Sequence, residues 1–228
     1  MRLVALVPMK LNNERVKGKN TRRFDNGKPL CSYILNTLKS IDNLDDIYVY
    51  CSDESIKEYI PDGIKYLKRS SSLDGSEVKI NDVLKAFSQD VDSDYYLLTH
   101  ATAPFISKKS IEKGINVIKE GKYDSVLTVL KVQNFFWKDN KAFNYELNSI
   151  PRTQDLEPFY EETSGLYIYS KDLIMNKNRR IGFNPYLLEI SKIEALDIDT
   201  EDDFFISNAV SSKLDMQTRK TLKKTYKR

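Results

Sequence analysis

The segment Leu3-Val4-Ala5-Leu6-Val7-Pro8 (residues 3–8) is an uninterrupted apolar run that ends at a proline. A run of this length and character predicts a buried β-strand. The polar, cationic stretch 10–20 follows almost at once and contains a single glycine, Gly18. In many α/β proteins a loop after a buried strand holds donors for nucleotide phosphates, because ligands bind at the carboxyl ends of the strands. The start of the chain therefore predicts a phosphate-binding loop near residue 10.

Outward from this segment, apolar strand-like runs alternate with amphipathic helical patterns. The predicted strands cover 2–8, 47–51, 64–67, 95–99, 125–132, 166–169 and 195–199. The predicted helices cover 30–40, 54–60, 80–87, 109–120 and 201–212. The alternation predicts an α/β fold, a three-layer α/β/α sandwich around a mixed, mostly parallel sheet. We expect one domain over 1–212, with an aromatic-rich insertion near 131–160 and a basic tail over 213–228.

The composition excludes several other classes of protein. The chain has 228 residues, of which 40% are hydrophobic and 30% charged, as in an ordinary globular domain. No apolar stretch approaches the ~20 residues that a membrane-spanning helix needs, so no membrane span is expected. The first residues lack a signal-peptide pattern. Two cysteines, Cys31 and Cys51, form neither a disulfide framework nor a metal cluster, and the expected location is the cytoplasm.

The charge is unevenly distributed along the chain. The net charge is +3, yet the tail from Lys213 to Arg228 carries seven basic residues and one acid. Such a tail suits contact with nucleic acid or an anionic membrane, or is simply a solvated terminal helix. Basic residues between the opening loop and the tail are balanced by acids, so nucleic acid is not an expected partner.

The loop 10–20 has the residue types that bind polyphosphate. Ammonium, guanidinium and carboxamide groups are interleaved, and together they offer many donors to phosphate oxygens. These residues are Lys10, Asn12, Asn13, Arg15, Lys17, Lys19 and Asn20. The Walker and dinucleotide-binding glycine patterns are absent, which argues against a P-loop kinase or ATPase. The alternative interpretation is a solvated basic turn.

The segment Asp197-Ile198-Asp199-Thr200 is the second candidate site. If 195–199 is a strand, the carboxylates of Asp197 and Asp199 point to one face. Two adjacent carboxylates repel unless a cation lies between them, and Mg²⁺ bound by carboxylates and phosphate oxygens is common in phosphoryl chemistry. The alternative is a capping box between Thr200 and Asp203 ahead of the next helix. Both interpretations can hold together.

Two further side chains are candidates for substrate binding. Arg152, inside the aromatic insertion, suits fork-like binding of a substrate carboxylate, or else a surface ion pair with Asp155 or Glu157. His100 is the only histidine and follows the predicted strand 95–99. It has no serine or cysteine partner at a recognisable spacing, so we expect contact with substrate rather than a catalytic triad.

Taken together, six segments resemble the acylneuraminate cytidylyltransferases, the synthetases that make CMP-activated sialic acids. The resemblance rests on the order and spacing of these segments and runs from residue 3 to about residue 210. The segments are Val7-Pro8 through Lys19-Asn20, Gly27-Lys28-Pro29-Leu30, Cys51-Ser52-Asp53-Glu54, Ala103-Pro104, Asp124-Ser125-Val126 and Asp197-Ile198-Asp199-Thr200-Glu201-Asp202.

The resemblance implies a fold similar to the GT-A type, with a dimerisation flap near 131–160 and a homodimer. It implies a reaction in which CTP and a 2-keto sugar acid give a CMP-sugar and pyrophosphate, for surface polysaccharide synthesis. Mg²⁺ would be held by Asp197 and Asp199, and these two residues with Lys19 would be catalytic. The implied nucleotide-binding residues are Lys10, Asn12, Arg15, Lys19, Asn20, Asp53 and Arg69. The implied acceptor-binding residues are His100, Arg152 and Gln154.

The departures from the family pattern concentrate on the sugar side. His100 replaces a glutamine, Ile106 replaces an arginine, and Ser164-Gly165 replaces Asn-Gly. The loop segment 15–19 is closer to the ketodeoxyoctonate cytidylyltransferases. The chain is thus identified as a divergent member. The alternatives are another acceptor, such as ketodeoxyoctonate or a sugar or polyol phosphate, and a non-catalytic nucleotide-binding module.

Overall fold

The computed structural model describes residues 1–13 and 15–225, with side chains described up to residue 214. The strands of the main sheet are β1 (Leu3–Pro8), β2 (Asp46–Cys51), β3 (Lys65–Lys68), β4 (Tyr95–Leu98), β5 (Ser125–Val132), β8 (Phe159–Ser170) and β9 (Pro185–Glu189). A separate hairpin pairs β6 (Trp137–Lys138) with β7 (Lys141–Ala142). The α-helices are α1 (Leu30–Lys39), α2 (Ile80–Asp90), α3 (Lys108–Lys119), α4 (Lys171–Lys177) and α5 (Glu201–Thr225). Short 3-10 helices cover Lys19–Thr21, Glu54–Tyr59, Ser71–Asp74 and Thr153–Asp155.

The main sheet has the strand order β3-β2-β1-β4-β8-β5-β9. All its strands run parallel except β8, which is antiparallel to both β4 and β5. The chain leaves β1 towards β2 on one side and later returns to β4 on the other, so the strand order reverses beside β1. Ligands bind at such a reversal, beyond the carboxyl ends of the strands. Because β8 runs antiparallel to its neighbours, its first residues lie beside the carboxyl ends of the other strands.

Helices cover both faces of the sheet. Along β1, Leu3, Ala5 and Val7 join a buried cluster with α1 and α3, while Val4 and Leu6 join a second cluster with α2 and α4. A strand buried on both faces reads as a continuous apolar run, which is why the segment 3–8 shows no polar alternation. The predicted three-layer α/β/α sandwich with a mostly parallel sheet is confirmed.

The predicted strand at 195–199 is wrong. Ala195 N–H donates to the Ser191 carbonyl and Leu196 N–H to the Ile193 carbonyl, which are turn hydrogen bonds, and this segment joins neither sheet of the described chain. Ile198 is fully buried in a third apolar cluster. That cluster contains Phe24, Leu30, Phe105, Ile198 and Phe204. Ile198 is therefore buried in a cluster with residues of α1, α5 and two loops rather than in the sheet.

The last strand is β9, which the sequence analysis did not predict. It pairs in parallel with β5 and forms the edge of the sheet. Its first residue, Pro185, is compatible with an edge strand because proline lacks the N–H that a central strand would donate. The remaining predicted strands match to within a few residues, except that β8 extends seven residues before the predicted start at 166.

The predicted insertion contains a hairpin, and the last predicted helix is longer than expected, while residues 226–228 of the predicted tail lie outside the described residues. The hairpin β6–β7 turns through Asp139 and Asn140, both at positive φ, which suits a two-residue hairpin turn. Helix α5 continues to Thr225, so the predicted boundary at 212 falls within a helix. None of the helices in the described part of the chain has the length and apolar character needed to cross a membrane.

Replacing Gly114 by valine should destabilise the fold. Gly114 is buried in α3, and an added Cβ would lie 2.9 Å from the Leu166 side chain and 3.3 Å from that of Ile168. Overpacking of this kind costs about 1–3 kcal/mol. Urea unfolding should show the loss, whereas Lys113→Val, an exposed change on the same helix, controls for helix propensity. Equal stability of the two variants would show that α3 can move away from the sheet.

Candidate active site

The loop after β1 is folded back on itself by a buried amide. Asn20 is 5% exposed, and its side chain donates to the Lys10 carbonyl at 2.8 Å. Met9 and Val16, both buried, anchor the loop to the core. Gly18 has φ +59°, a left-handed conformation that favours glycine, just before the helix Lys19–Thr21. The single glycine of this loop is therefore at the position whose backbone requires it.

Lys19 joins this loop to the segment that contains the two predicted metal ligands. Its Nζ donates to the Ile198 carbonyl at 2.6 Å and to Asp199 Oδ1 at 3.3 Å. Arg15 lies 3.3 Å from the same carboxylate oxygen. Lys19 is nearly buried, whereas the side chain of Arg15 is exposed. Two segments almost 180 residues apart in the sequence thus form one site.

Asp197, two residues before Asp199, has an unused acceptor. Its Oδ1 is buried and has no hydrogen-bond partner among the described residues. Asp199 and Asp197 together supply two carboxylates, and no cluster of three or more metal-ligating side chains occurs in the described part of the chain. Two carboxylates fit Mg²⁺, which commonly takes its remaining ligands from water and substrate phosphates. The residues present therefore suit that ion.

The predicted capping box is also present. Asp203 Oδ2 accepts from the backbone N–H of Thr200 at 2.8 Å and from its hydroxyl at 2.7 Å, while Thr200 Oγ1 accepts from Asp203 N–H. Asp203 Oδ2 also accepts from the N–H of Asp199 at 3.1 Å. The box starts α5 and at the same time fixes the backbone that carries Asp199.

A cavity of about 250 Å³ opens beside the loop that follows β1, between the carboxyl ends of β1 and β4. We call it the nucleotide cavity. Its polar lining includes Lys10, Arg69 and His100, three of the predicted site residues. Its apolar lining includes Met9, Leu73, Val78, Ile80 and Val83.

Arg69 is held rigidly at the wall of the nucleotide cavity. Its side chain is 4% exposed and donates from Nε and Nη2 to Asp74 Oδ1, at 3.1 and 2.5 Å. Ser52 Oγ donates to the other oxygen of Asp74 at 2.5 Å, and Lys10 Nζ approaches the Asp74 carbonyl at 3.4 Å. Sequence reasoning missed Asp74 as the residue that orients Arg69. It lies in the serine-rich turn 70–74, which gives only a turn signal.

His100 follows β4 and is half-buried in the nucleotide cavity. Burial lowers its pKa to about 4, an effect opposed by Asp197 and reinforced by Arg180 and Lys19. At neutral pH the imidazole is therefore uncharged, with one nitrogen able to donate a hydrogen bond and the other able to accept.

His100 should make folding sensitive to acid. Its pKa in the folded protein lies below the ordinary value of 6.5, so the unfolded chain binds a proton first and stability falls as pH drops below 6.5. We expect wild type to lose about 2–3 kcal/mol more than His100→Gln between about pH 7 and pH 4.5. Urea unfolding at both pH values measures the difference. Equal losses would place His100 in a solvated environment.

Four predicted site residues do not line the nucleotide cavity. They also take no part in the contacts of Arg15, Lys19 and Asn20 described above. Asn12 is exposed, and Asp53 accepts from Ser55 N–H at 2.9 Å to cap the helix Glu54–Tyr59. Arg152, with 73% of its side chain exposed, pairs with Asp155 at 2.8 Å, the ion pair foreseen as its alternative. Gln154 is exposed beside it. Their roles in binding stay predictions.

Comparison with known proteins gives a family match over almost the whole chain. A family model described as cytidylyltransferase matches residues 4–224. The chain is 23% identical over 215 residues to an N-acylneuraminate cytidylyltransferase of Streptococcus agalactiae, covering 90% of this chain and 52% of that protein. It is 28% identical over 223 residues to a CMP-N,N'-diacetyllegionaminic acid synthase of Legionella pneumophila, covering 91% and 95%. The chain thus spans about half the length of the Streptococcus relative.

The fold is also similar to solved structures. A CMP:2-keto-3-deoxy-manno-octonic acid synthetase complexed with CTP superimposes with a TM-score of 0.73 at 14% identity, covering 93% of this chain and 99% of that one. This similarity confirms the predicted nucleotide-sugar transferase type of α/β fold.

Proposed function

The chain belongs to the cytidylyltransferase family, and on this premise we propose that it transfers CMP from CTP to a 2-keto sugar acid of the sialic acid type, releasing pyrophosphate. The observation that carries the proposal is the pair of contacts that Lys19 makes with the segment 197–199. Its hydrogen bonds to the Ile198 carbonyl and to Asp199 hold the 197–199 segment against the cationic loop, whose Lys10 lines the nucleotide cavity together with Arg69. A cationic loop, two carboxylates and a cavity with a fixed guanidinium supply what a triphosphate and its base require.

In the proposed reaction the anomeric hydroxyl of the acceptor attacks the α-phosphorus in line, and the bond to the β-phosphate oxygen breaks. Lys10 and Lys19 contact the phosphates, and Arg69, fixed by Asp74, orients the base side of the nucleotide. Mg²⁺ held by Asp197 and Asp199 would offset the negative charge on the α-phosphate and on the leaving pyrophosphate. Neutral His100 offers a hydrogen bond to the acceptor. Positioning and electrostatic stabilisation dominate such reactions.

Pyrophosphate release tests this proposal. Each nucleoside triphosphate is combined with Mg²⁺ and, in turn, N-acetylneuraminate, N,N'-diacetyllegionaminate and 2-keto-3-deoxy-manno-octonate. We expect release with CTP and at least one acid, little release with ATP, and none after EDTA is added. Thermal stabilisation by CTP but not by ATP provides a second readout for the base. If CTP binds but none of the three acids gives pyrophosphate release, the proposed acceptor class is rejected.

We also propose a homodimer formed through the insertion, in the cytoplasm. Trp137, Phe143 and Phe159 are 59%, 56% and 40% exposed and line an apolar cavity of about 370 Å³. Exposed aromatic side chains gathered in one patch are typical of a protein interface. The buried free thiols of Cys31 and Cys51 suit a reducing compartment.

Trp137→Glu should convert the dimer to monomer, because it buries a charge in the apolar patch. Light scattering after size exclusion measures the mass, and Phe205→Glu, at a still more exposed aromatic position on α5, serves as the control. A wild-type protein that is monomeric at every concentration would exclude this dimer.

A further inference from the structure

A second cavity, of about 370 Å³, adjoins the nucleotide cavity, and Ile80 lines both. We call it the cationic cavity. It lies where the start of α2, the first half of β8 and the segment after α4 meet. Its polar lining consists of Lys79, Asn81, Glu162, Arg179 and Arg180. Neither the sequence motifs nor the proposed nucleotide contacts account for these residues.

The charge of the cationic cavity favours an anion. Three cationic side chains line it against one carboxylate, that of Glu162. Lys79 also precedes α2, an eleven-residue helix with no side-chain cap at that residue, so the partial positive charge of the helix terminus adds to the cations. A cavity with this balance attracts a negatively charged group of a ligand.

Arg180 is preorganised within this cavity. Its guanidinium lies over the Tyr167 ring, 3.9 Å from the ring centroid. Its Nη2 donates to Glu162 Oε1 at 2.9 Å and to the Tyr167 hydroxyl at 3.1 Å, and that hydroxyl donates to the same Glu162 oxygen at 2.6 Å. The side chain is only 22% exposed. Stacking and hydrogen bonding therefore fix the plane of the guanidinium.

The rest of this guanidinium is available to a ligand. Among the described residues, Nε and Nη1 of Arg180 donate to no protein acceptor. These two donors lie on different sides of the guanidinium, so each can give one charge-assisted hydrogen bond to a carboxylate oxygen. Arg152, the residue predicted for this role, is not part of the lining of either cavity.

We propose that Arg180 binds the carboxylate of the acceptor in the cationic cavity, an inference that rests on the proposed transfer to a 2-keto sugar acid. In such an acid the carboxylate and the anomeric hydroxyl are attached to the same carbon. Binding the carboxylate therefore also orients the attacking hydroxyl.

Electrostatic coupling between the two cavities agrees with this placement. The charge of Arg180 contributes to the lowered pKa of His100, behind burial and Asp197 in size. The charge of Asp197 is among the causes that raise the pKa of Tyr167, of which burial is the largest. Together with the shared wall at Ile80, these effects place the two cavities in one electrostatic environment.

The test compares wild type with Arg180→Gln and Arg180→Lys, using whichever acid of the panel releases most pyrophosphate, together with its methyl ester. Arg180→Gln should raise the KM of the acid about 10- to 100-fold, the loss expected for a charge-assisted hydrogen bond, and leave the KM of CTP within about twofold. Arg180→Lys should recover part of the affinity. Arg2→Gln removes an ion-paired arginine at the amino end of β1, on the side of the sheet away from both cavities, and should change neither KM.

The ester separates binding from a structural role. Wild type should use the ester poorly, and Arg180→Gln should impair the ester no further, because the interaction is already absent. If Arg180→Gln leaves the KM of the acid unchanged, or impairs acid and ester equally, the inference is overturned while the proposed function stands. If wild type releases pyrophosphate with none of the three acids, the proposed function fails first and the inference fails with it.

Discussion

Asp199→Asn should lower kcat at least about 100-fold while leaving the fold intact. Removing one preorganised electrostatic group from an active site commonly has this effect on turnover. The variant keeps the shape of the side chain but loses the charge that would hold Mg²⁺ next to Asp197. Asp199 is 47% exposed and its ion pairs with Lys19 and Arg15 are partly solvated, so the free energy of unfolding should change little.

The matched control for this variant is Asp202→Asn, the same chemical change at an exposed position three residues later. Turnover measured against Mg²⁺ concentration adds a second readout, because a lost ligand raises the concentration needed for half-maximal rate. Thermal stabilisation by CTP with Mg²⁺ should also weaken in Asp199→Asn. Unchanged turnover together with unchanged Mg²⁺ dependence would remove Asp199 from the metal site.

Lys19→Met should reduce kcat/KM for CTP by about 100-fold and also cost about 1–3 kcal/mol of stability. The nearly buried ammonium donates to the Ile198 carbonyl and to Asp199, and the variant leaves that carbonyl without its donor. The loop then keeps only the exposed Arg15–Asp199 ion pair as a direct contact with the 197–199 segment. The loss of stability distinguishes Lys19 from Asp199, whose replacement should affect metal binding and turnover but not the stability of the fold.

Lys39→Met serves as the control for Lys19→Met, because Lys39 is an exposed lysine at the end of α1 and outside the proposed site. Steady-state kinetics and urea unfolding measure both effects. Activity within about threefold of wild type, in a variant with lowered stability, would leave Lys19 with a structural role only.

Local sequence patterns predicted most of the fold, because a parallel sheet buried on both faces leaves continuous apolar runs such as 3–8. They failed at 195–199 for a physical reason. Burial of Ile198 against Phe24 and Phe204 gives the same apolar spacing as a strand, and nothing local separates the two. Strand β9 was missed because it is short and begins with proline.

The candidate site was predicted in its parts rather than in its assembly. The loop cations and the two aspartates were visible as residue types, but the contact between Lys19 and Asp199 depends on tertiary structure. The Arg69–Asp74–Ser52 network and the stacking of Arg180 on Tyr167 likewise join segments whose individual sequences show no functional pattern. Such contacts follow from the order of strands in the sheet, which a single sequence does not specify.

The ion pairs of Asp199 have a consequence for the order in which ligands arrive. Arg15 and Lys19 already neutralise this carboxylate, so a divalent cation that arrives alone must compete with two positive side chains for one oxygen. A metal ion that arrives on a nucleoside triphosphate brings negative charge with it, and both side chains can turn to the phosphates as Asp199 is released. If Mg²⁺ binds here as we propose, this charge balance favours joint arrival of metal and nucleotide over arrival of the metal first.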